Sequence, residues 1–342
     1  MKKHINIPLF IPHLGCPNQC VFCNQRTISG VLEFDPDSVR DVIEESLSTK
    51  PNDTTAEIAF FGGSFTGIER DLMLKLLSIA KEYVDKGLVT SIRCSTRPDY
   101  INDEILNILK EYSVNVIELG LQTTNDRILN ITKRGHTFSD EERAVKLVVD
   151  AGFTLVGQMM IGLPGSTLED EIECAKFIIN SGAKFARIYP TVVFRDTELC
   201  YMTEKGEYSP LSLVEATERT ATVLTLLRNN GVKVIRVGLC ASENLVNDKT
   251  YFAGPNHPAL GELVENKVYL SKMEAQINEI YNEKPQTVEF MIPKGARSKV
   301  IGQKQCNIKK LSELYGIKNI KLTESEGLDE GIVTLIKHER NS

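Results

Sequence analysis

Between residues 5 and 239, short apolar runs alternate with segments whose apolar positions recur every three or four residues. These are the spacings of buried strands and amphipathic helices. The runs at 5–13, 57–61, 89–95, 115–122, 153–161, 185–194 and 232–239 predict strands. Helices are predicted over 35–48, 69–84, 103–112, 139–150, 168–180 and 212–229. The punctuation agrees. Asp35 and Pro36 suit a helix start, and Ser139 with Glu142 reads as a capping box. Gly62-Gly63 and Gly162-Leu163-Pro164-Gly165 close two of the strands. Repeated strand–helix units, about six of them, predict parallel strands with helical crossovers. The expected fold class is α/β: an incomplete (β/α)6 barrel with ligands at the C-terminal ends of its strands.

The pattern then changes. Residues 251–256 read as a loop and 257–283 as largely helical. Beyond Pro285, strand-like 287–293 is followed by a short helix at 296–301 ending on Gly302. A second helix at 307–314 stops at Gly316, and strand-like 318–322 and 332–336 follow. This order predicts a small α+β domain. The expected organisation is a barrel core at 1–240, a helical connecting segment at 241–283 and a small basic domain at 284–342.

With 42% hydrophobic and 25% charged residues in 342, the composition is that of a folded globular chain. It excludes a mainly disordered chain, a collagen and a small disulfide scaffold. No run approaches the ~18 apolar residues of a membrane span. The N-terminus lacks a long apolar stretch with a small-residue cleavage site, so a cytoplasmic location without a membrane partner is expected. The net charge of −6 is unevenly spread: residues 284–322 hold eight Lys and one Arg against two Glu, a local +7 on an acidic body. Such asymmetry suits either a polyanion-binding module or a solvated lysine-rich surface.

Three of the eight cysteines crowd into Cys16-Pro-Asn-Gln-Cys20-Val-Phe-Cys23, at the end of the first predicted strand. A disulfide framework is not expected in a reducing compartment. Thiolates are soft ligands that suit iron–sulfur clusters and zinc. Three of them on a [4Fe–4S] cluster leave one iron open for a substrate or cosubstrate. A zinc site completed by a distant residue, or purely structural cysteines, are the other readings. Among the remaining cysteines, Cys240 ends the last strand of the core and is a candidate radical relay or substrate-handling thiol. Tyr189 has a similar claim. Cys94, Cys174, Cys200 and Cys306 read mostly as buried small residues.

The C-x3-C-x2-C spacing, with Phe22 before the third cysteine, resembles the radical S-adenosylmethionine superfamily. That resemblance implies Cys16, Cys20 and Cys23 on a [4Fe–4S] cluster whose open iron chelates S-adenosylmethionine. Reductive cleavage then gives a 5′-deoxyadenosyl radical, and a reductase or a flavodoxin- or ferredoxin-type donor supplies the electron. Phe60-Phe61-Gly62-Gly63-Ser64-Phe65 is similar to the family's glycine motif, which implies cosubstrate contacts at Gly62, Gly63 and Ser64. Further blocks resemble the radical core of the elongator catalytic subunit, a tRNA-modifying protein. They are Ser95-Thr96-Arg97-Pro98-Asp99-Tyr100, Glu118-Leu119-Gly120-Leu121-Gln122, Lys133-Arg134-Gly135-His136-Thr137, Met159-Met160-Ile161-Gly162-Leu163-Pro164-Gly165 and Ile188-Tyr189-Pro190-Thr191. By that similarity Gln122 contacts the cosubstrate, Arg134 pairs with its carboxylate and Gln158 reaches its ribose. Ser95 stands where these relatives carry a ribose-binding Glu. No acetyl-coenzyme A loop is recognisable after Leu239, so the elongator's carboxymethylated product is not implied.

The basic segment resembles a KH RNA-binding module, whose G-x-x-G loop clamps a nucleic-acid backbone between two helices. Here the loop is Gly302-Gln303-Lys304-Gln305, without the second glycine, and Lys299, Lys304, Lys309 and Lys310 supply charge. The leading expectation is a radical S-adenosylmethionine enzyme acting on RNA, with tRNA favoured. The alternatives are a coproporphyrinogen-oxidase-like reaction on a small molecule or tetrapyrrole, and a non-catalytic iron–sulfur, haem-handling or RNA-binding protein.

Overall fold

The computed structural model describes residues 3–12, 14–17, 19–24, 34–239 and 250–339. Contacts divide the chain into two compact units, residues 1–212 with 226–256, and residues 213–225 with 257–342.

The first unit is built on a seven-stranded sheet. Its strands are β1 (Lys3–Ile11), β2 (Thr54–Gly62), β3 (Ser91–Thr96), β4 (Val114–Gln122), β5 (Thr154–Ile161), β6 (Phe185–Pro190) and β8 (Lys233–Val237), neighbours in chain order. Every pair is parallel. The fold is α/β, a curled partial (β/α) barrel with a further C-terminal domain. The helices between the strands are α1 (Val39–Ser48), α2 (Arg70–Asp85), α3 (Asp103–Glu111), α4 (Asp126–Ile131), α5 (Phe138–Asp150), α6 (Leu168–Asn180), α7 (Glu198–Glu204) and α8 (Leu213–Asn229), of which residues 213–225 of α8 belong to the second unit. Strands covered on both faces read as continuous apolar runs. Ile58, Phe60, Ile92, Ile117, Leu119, Val156 and Ile188 are fully buried accordingly.

Several local expectations shift. The run at 185–194 is two strands, because β7 (Val193–Phe194) leaves the sheet and pairs antiparallel with β9 (Tyr251–Ala253), within the expected loop. The capping box of α5 is Thr137 with Asp140, two residues before Ser139 and Glu142. A second one, Thr167 with Asp170, opens α6. Helix α1 starts at Val39, because Asp35 closes a turn by accepting from the Asp37 amide at 2.9 Å.

The second unit contains α9 (Leu260–Glu279), β10 (Thr287–Pro293), α10 (Arg297–Ile301), α11 (Cys306–Tyr315), β11 (Asn319–Ser325) and β12 (Thr334–Glu339). Central β10 runs parallel to β11 and antiparallel to β12. Residues 257–283 of the expected connector fall in this unit, because Tyr269, Met273 and Ile277 of α9 share one apolar cluster with Val288, Phe290, Ile292, Val300 and Leu311.

Candidate functional site

The cysteine loop leaves β1 and lies on the turn that follows β2. Gly63 donates its amide to the Ile11 carbonyl at 2.8 Å, and Ser64 donates to Leu14 at 3.0 Å. The glycines make this approach possible. A Cβ on Gly63 would sit 1.9 Å from the Leu14 carbonyl oxygen, and one on Gly15 would sit 2.1 Å from that of Ser64. The Cβ directions of Gly62 and Gly63 are thus filled by the loop's own backbone, with Ile11 against Gly62 and Leu14 against Gly63. The Ser64 hydroxyl is buried and engaged, 2.8 Å from Thr96 Oγ1 and accepting from the Arg97 amide at 3.3 Å. Further along the loop, Val21 donates to the Thr132 carbonyl at 3.2 Å and accepts from the Leu199 amide at 2.8 Å. Phe22 packs against the apolar cluster of Val21, Val193 and Leu199.

Cys20 is buried, while Cys16 and Cys23 are half-buried; none of the three is in a disulfide. Burial pushes the Cys16 thiol up, and the neighbouring Cys20 adds to this, against the opposing charges of Arg97 and Arg134. Arg134 donates through Nη1 to Cys20 Sγ at 3.3 Å and through Nη2 to the Gly120 carbonyl. Arg97 forks onto Asp99, with Nε to Oδ1 and Nη2 to Oδ2 both at 2.9 Å, and also donates to the Arg134 carbonyl. His136 Nε2 lies 3.0 Å from Glu141 Oε1 beneath them. Burial first, and then the two guanidinium charges, push His136 down to about 4, while burial holds Glu141 well above the usual carboxylate range. His136 is therefore neutral near pH 7.

Gln122 ends β4 with φ +72, a left-handed backbone that its β-bulge after Gly120 accommodates. Its side-chain Oε1 lies 3.5 Å from Gln158 Nε2. Ser95 is aligned with Glu118 on the adjacent strand. Glu118 pairs with Arg187 at 2.9 Å, and its carboxyl is raised by burial against the opposing pull of Arg187. Arg187 also lies over the Phe61 ring at 5.0 Å and donates to the Tyr189 hydroxyl at 3.1 Å. The structure therefore brings Gln122, Gln158, Arg134 and the cysteine loop together, and sets Tyr189 into a charged network across the sheet. Cys240 lies outside the described residues. Cys94 is inert, its thiol pushed up to about 12 by burial, whereas Cys306 is exposed rather than buried.

Sequence reasoning left Arg97, Asp99, His136, Glu141, Glu118 and Arg187 without roles. A signal existed for the last two: a charge inside an otherwise apolar strand of a sheet covered on both faces needs a buried partner.

In the second unit, Gly302 (φ +78), Lys304 (φ +52) and Gln305 (φ +62) form the loop between α10 and α11. Buried Asn307 locks it from below, donating to the Asn266 carbonyl at 2.8 Å and the Val300 carbonyl at 3.0 Å. Lys299 is paired with Glu330 at 2.5 Å and Lys310 with Glu274 at 3.4 Å. Lys304 and Lys309 are exposed.

A parallel half-barrel carrying three thiols at the mouth of its first strand defines a class of cofactor enzyme, and comparison with known proteins identifies it. The model of the radical SAM superfamily matches residues 10–178, and that of the Radical_SAM C-terminal domain matches residues 183–269. The chain belongs to the radical SAM superfamily. It is 30% identical over 222 residues to an uncharacterised protein of Methanocaldococcus jannaschii, covering 61% of this chain and 68% of that one. A tRNA uridine(34) acetyltransferase of the same organism is 29% identical, over 59% of this chain and 45% of the relative. Elongator complex protein 3 of Homo sapiens is 31% identical, over 63% and 47%. The chain thus spans about half the length of these last two. The solved structure of Methanocaldococcus infernus Elp3 shares the fold, with a TM-score of 0.63 at 23% identity over 80% of this chain and 64% of that one.

The radical SAM family uses a [4Fe–4S] cluster and S-adenosylmethionine. The residues present fit this pair. Arg97 Nη1 and Arg134 Nε are buried N–H donors that find no acceptor among the described residues, beside three thiols that are not in disulfides. Among the described residues no three His, Cys, Asp or Glu side chains converge on a single-ion position. Ligands of a cuboidal cluster each bind a different iron, so they do not need to.

Proposed function

We propose that Cys16, Cys20 and Cys23 hold the [4Fe–4S] cluster and that S-adenosylmethionine binds beside it at the C-terminal ends of β2 to β5, for modification of an RNA, with tRNA favoured. The observation that carries this reading is the seating of the three-thiol loop, backbone against backbone, on the Gly62-Gly63 turn with Arg134 donating to Cys20. When bound, the cluster supplies the electron that splits the sulfonium C–S bond of S-adenosylmethionine into methionine and a 5′-deoxyadenosyl radical.

The chain's own residues bind and orient. The Gln122 and Gln158 amides and the Ser95 hydroxyl offer hydrogen bonds suited to ribose. Arg134, a buried guanidinium, suits a carboxylate. Gly62, Gly63 and Ser64 shape the backbone on which the cosubstrate's methionine end rests, and Phe22 closes the loop against its apolar support. Residues 1–240 are the catalytic core in this reading, and residues 284–342 contact RNA through Lys299, Gly302, Lys304, Lys309 and Lys310. The relative named a tRNA uridine(34) acetyltransferase supports the RNA substrate. A reductase or flavodoxin- or ferredoxin-type donor supplies the electron, and the cytoplasm is the proposed site of action.

Anaerobic reconstitution is expected to load about four irons per chain. Dithionite with S-adenosylmethionine is then expected to release 5′-deoxyadenosine. Changing Cys16, Cys20 and Cys23 to Ala removes both, and persistence of the cluster in that variant refutes the site. Comparing the modified nucleosides of tRNA from cells with and without the gene tests the substrate. An unchanged nucleoside profile together with a bound tetrapyrrole or other metabolite moves the reaction to a small molecule.

A further inference from the structure

The two buried arginines beside the cysteine loop are fixed more firmly than binding of a transient cosubstrate requires. Arg97 is 3% exposed and Arg134 is 6% exposed. Asp99 grips Arg97 through two parallel bonds of 2.9 Å, a geometry that sets both the position and the plane of a guanidinium. Its Nη2 also donates to the Arg134 carbonyl and lies 3.5 Å from His136 Nδ1, so the two arginines are tied to each other. Arg134 in turn reaches Cys20 Sγ at 3.3 Å and the Gly120 carbonyl. After these bonds Arg97 Nη1 and Arg134 Nε remain buried without an acceptor among the described residues. A stranded donor on a charged group is costly, so a fold that keeps two of them beside thiols supplies donors for an anion seated there. Arg97 lies within electrostatic reach of both Cys16 and Cys20.

We propose that Arg97, with Arg134, sets the reduction potential of the cluster: the pair forms a fixed cationic wall that favours the form carrying the additional electron. This rests on the reading that Cys16, Cys20 and Cys23 hold that cluster. Hydrogen bonds to ligand sulfurs and nearby charge are the protein's means of tuning such centres. The electron arrives from the external donor; no bond is made or broken, and the arginines change neither charge nor protonation. Asp99 is a positioning residue that acts through Arg97. The role differs from carboxylate binding because it operates without S-adenosylmethionine.

The experiment is a redox titration of the reconstituted holoenzyme, followed by the electron paramagnetic resonance of the reduced cluster, with S-adenosylmethionine omitted. Arg97→Gln is expected to lower the reduced-to-oxidised ratio at a fixed potential about tenfold, or about 59 mV for a one-electron couple. Arg134→Gln is expected to shift the ratio in the same direction. Arg97→Lys, which keeps the charge and loses the fork, is expected to recover most of the wild-type ratio. A Gln variant with the wild-type iron content and an unmoved potential overturns the inference, as does a Lys variant that falls as far as Gln. Failure of the wild-type chain to assemble any four-iron centre overturns the functional reading and this inference with it.

Discussion

Gly63→Ala isolates the seat of the cysteine loop from the chemistry performed on it. The added Cβ would stand 1.9 Å from the Leu14 carbonyl oxygen and 3.0 Å from its carbon. Ordinary packing leaves at least 3 Å, so Leu14 must retreat by about 1 Å. That movement stretches the Ser64 amide to Leu14 carbonyl bond from 3.0 Å to roughly 4 Å, beyond any hydrogen bond. Stranding the two groups costs about 1–3 kcal/mol, and the overpacking about 1–3 kcal/mol more. A domain stable by about 5–15 kcal/mol keeps its sheet under that load, so the displacement falls on the loop that carries Cys16. The variant is therefore expected to fold, to melt several degrees lower as apo-protein, and to bind well under half the wild-type iron and acid-labile sulfide after anaerobic reconstitution. Gly87→Ala is the control. It has φ +69 and nothing within 4 Å of its Cβ, so it bears backbone strain of about 1 kcal/mol and loads normally. Wild-type cluster content in Gly63→Ala would show that the glycine does not make room for the loop.

The His136–Glu141 pair makes stability depend on pH. With His136 held at about 4 against an ordinary 6.5, the unfolded chain binds a proton that the folded one refuses. This contribution is complete above about pH 6.5 and is lost as pH falls toward 4, on the order of a few kcal/mol at most. Glu141, raised by burial, acts in the opposite sense, and its contribution is lost as pH rises through its folded value. His136→Gln should flatten the fall in apo-protein melting temperature between pH 6.5 and 4; an unchanged slope refutes this. In the second unit, Tyr269→Phe strands the Gly331 amide that donates to its hydroxyl at 2.9 Å. It should cost about 1–3 kcal/mol in denaturant unfolding, and a change under half a kcal/mol would contradict the burial argument. Reversing Lys304 and Lys309 to Glu should weaken RNA binding and its salt dependence more than reversing Lys299 and Lys310, whose charges are already paired with Glu330 and Glu274. Equal effects in filter binding would remove the distinction.

The parallel sheet was legible because strands covered on both faces carry unbroken apolar runs, and the helices between them carry the other period. What escaped was short or non-local. Helices α4 (Asp126–Ile131) and α7 (Glu198–Glu204) are too brief to display a repeat. The split at residues 191–192 depends on the distant partner β9, and the apolar composition of 185–194 says nothing of it. The α5 cap was misplaced because Thr137–Asp140 and Ser139–Glu142 both satisfy the capping pattern, and only the helix start selects between them. At the site, the cysteine spacing and the glycine pair are local and were visible. Sequence suggested that the glycines admit a ligand; the structure shows that their missing side chains admit the Ile11 and Leu14 backbone. A charge inside each apolar strand signals that Glu118 and Arg187 need buried partners, but the two lie far apart in the chain and nothing local says that they meet.

The hydrogen bonds of Val21 also set an order of events during synthesis. The thiols at 16–23 leave the ribosome well before the partners that hold them. Yet the segment between Cys20 and Phe22 is held by the Thr132 carbonyl and the Leu199 amide. At about 5–20 residues per second, translation needs roughly ten seconds or more after the cysteines emerge before the second of these clamps exists. If these thiols hold the cluster as proposed, iron–sulfur delivery that waits for the clamps would find a formed socket instead of a loose tether.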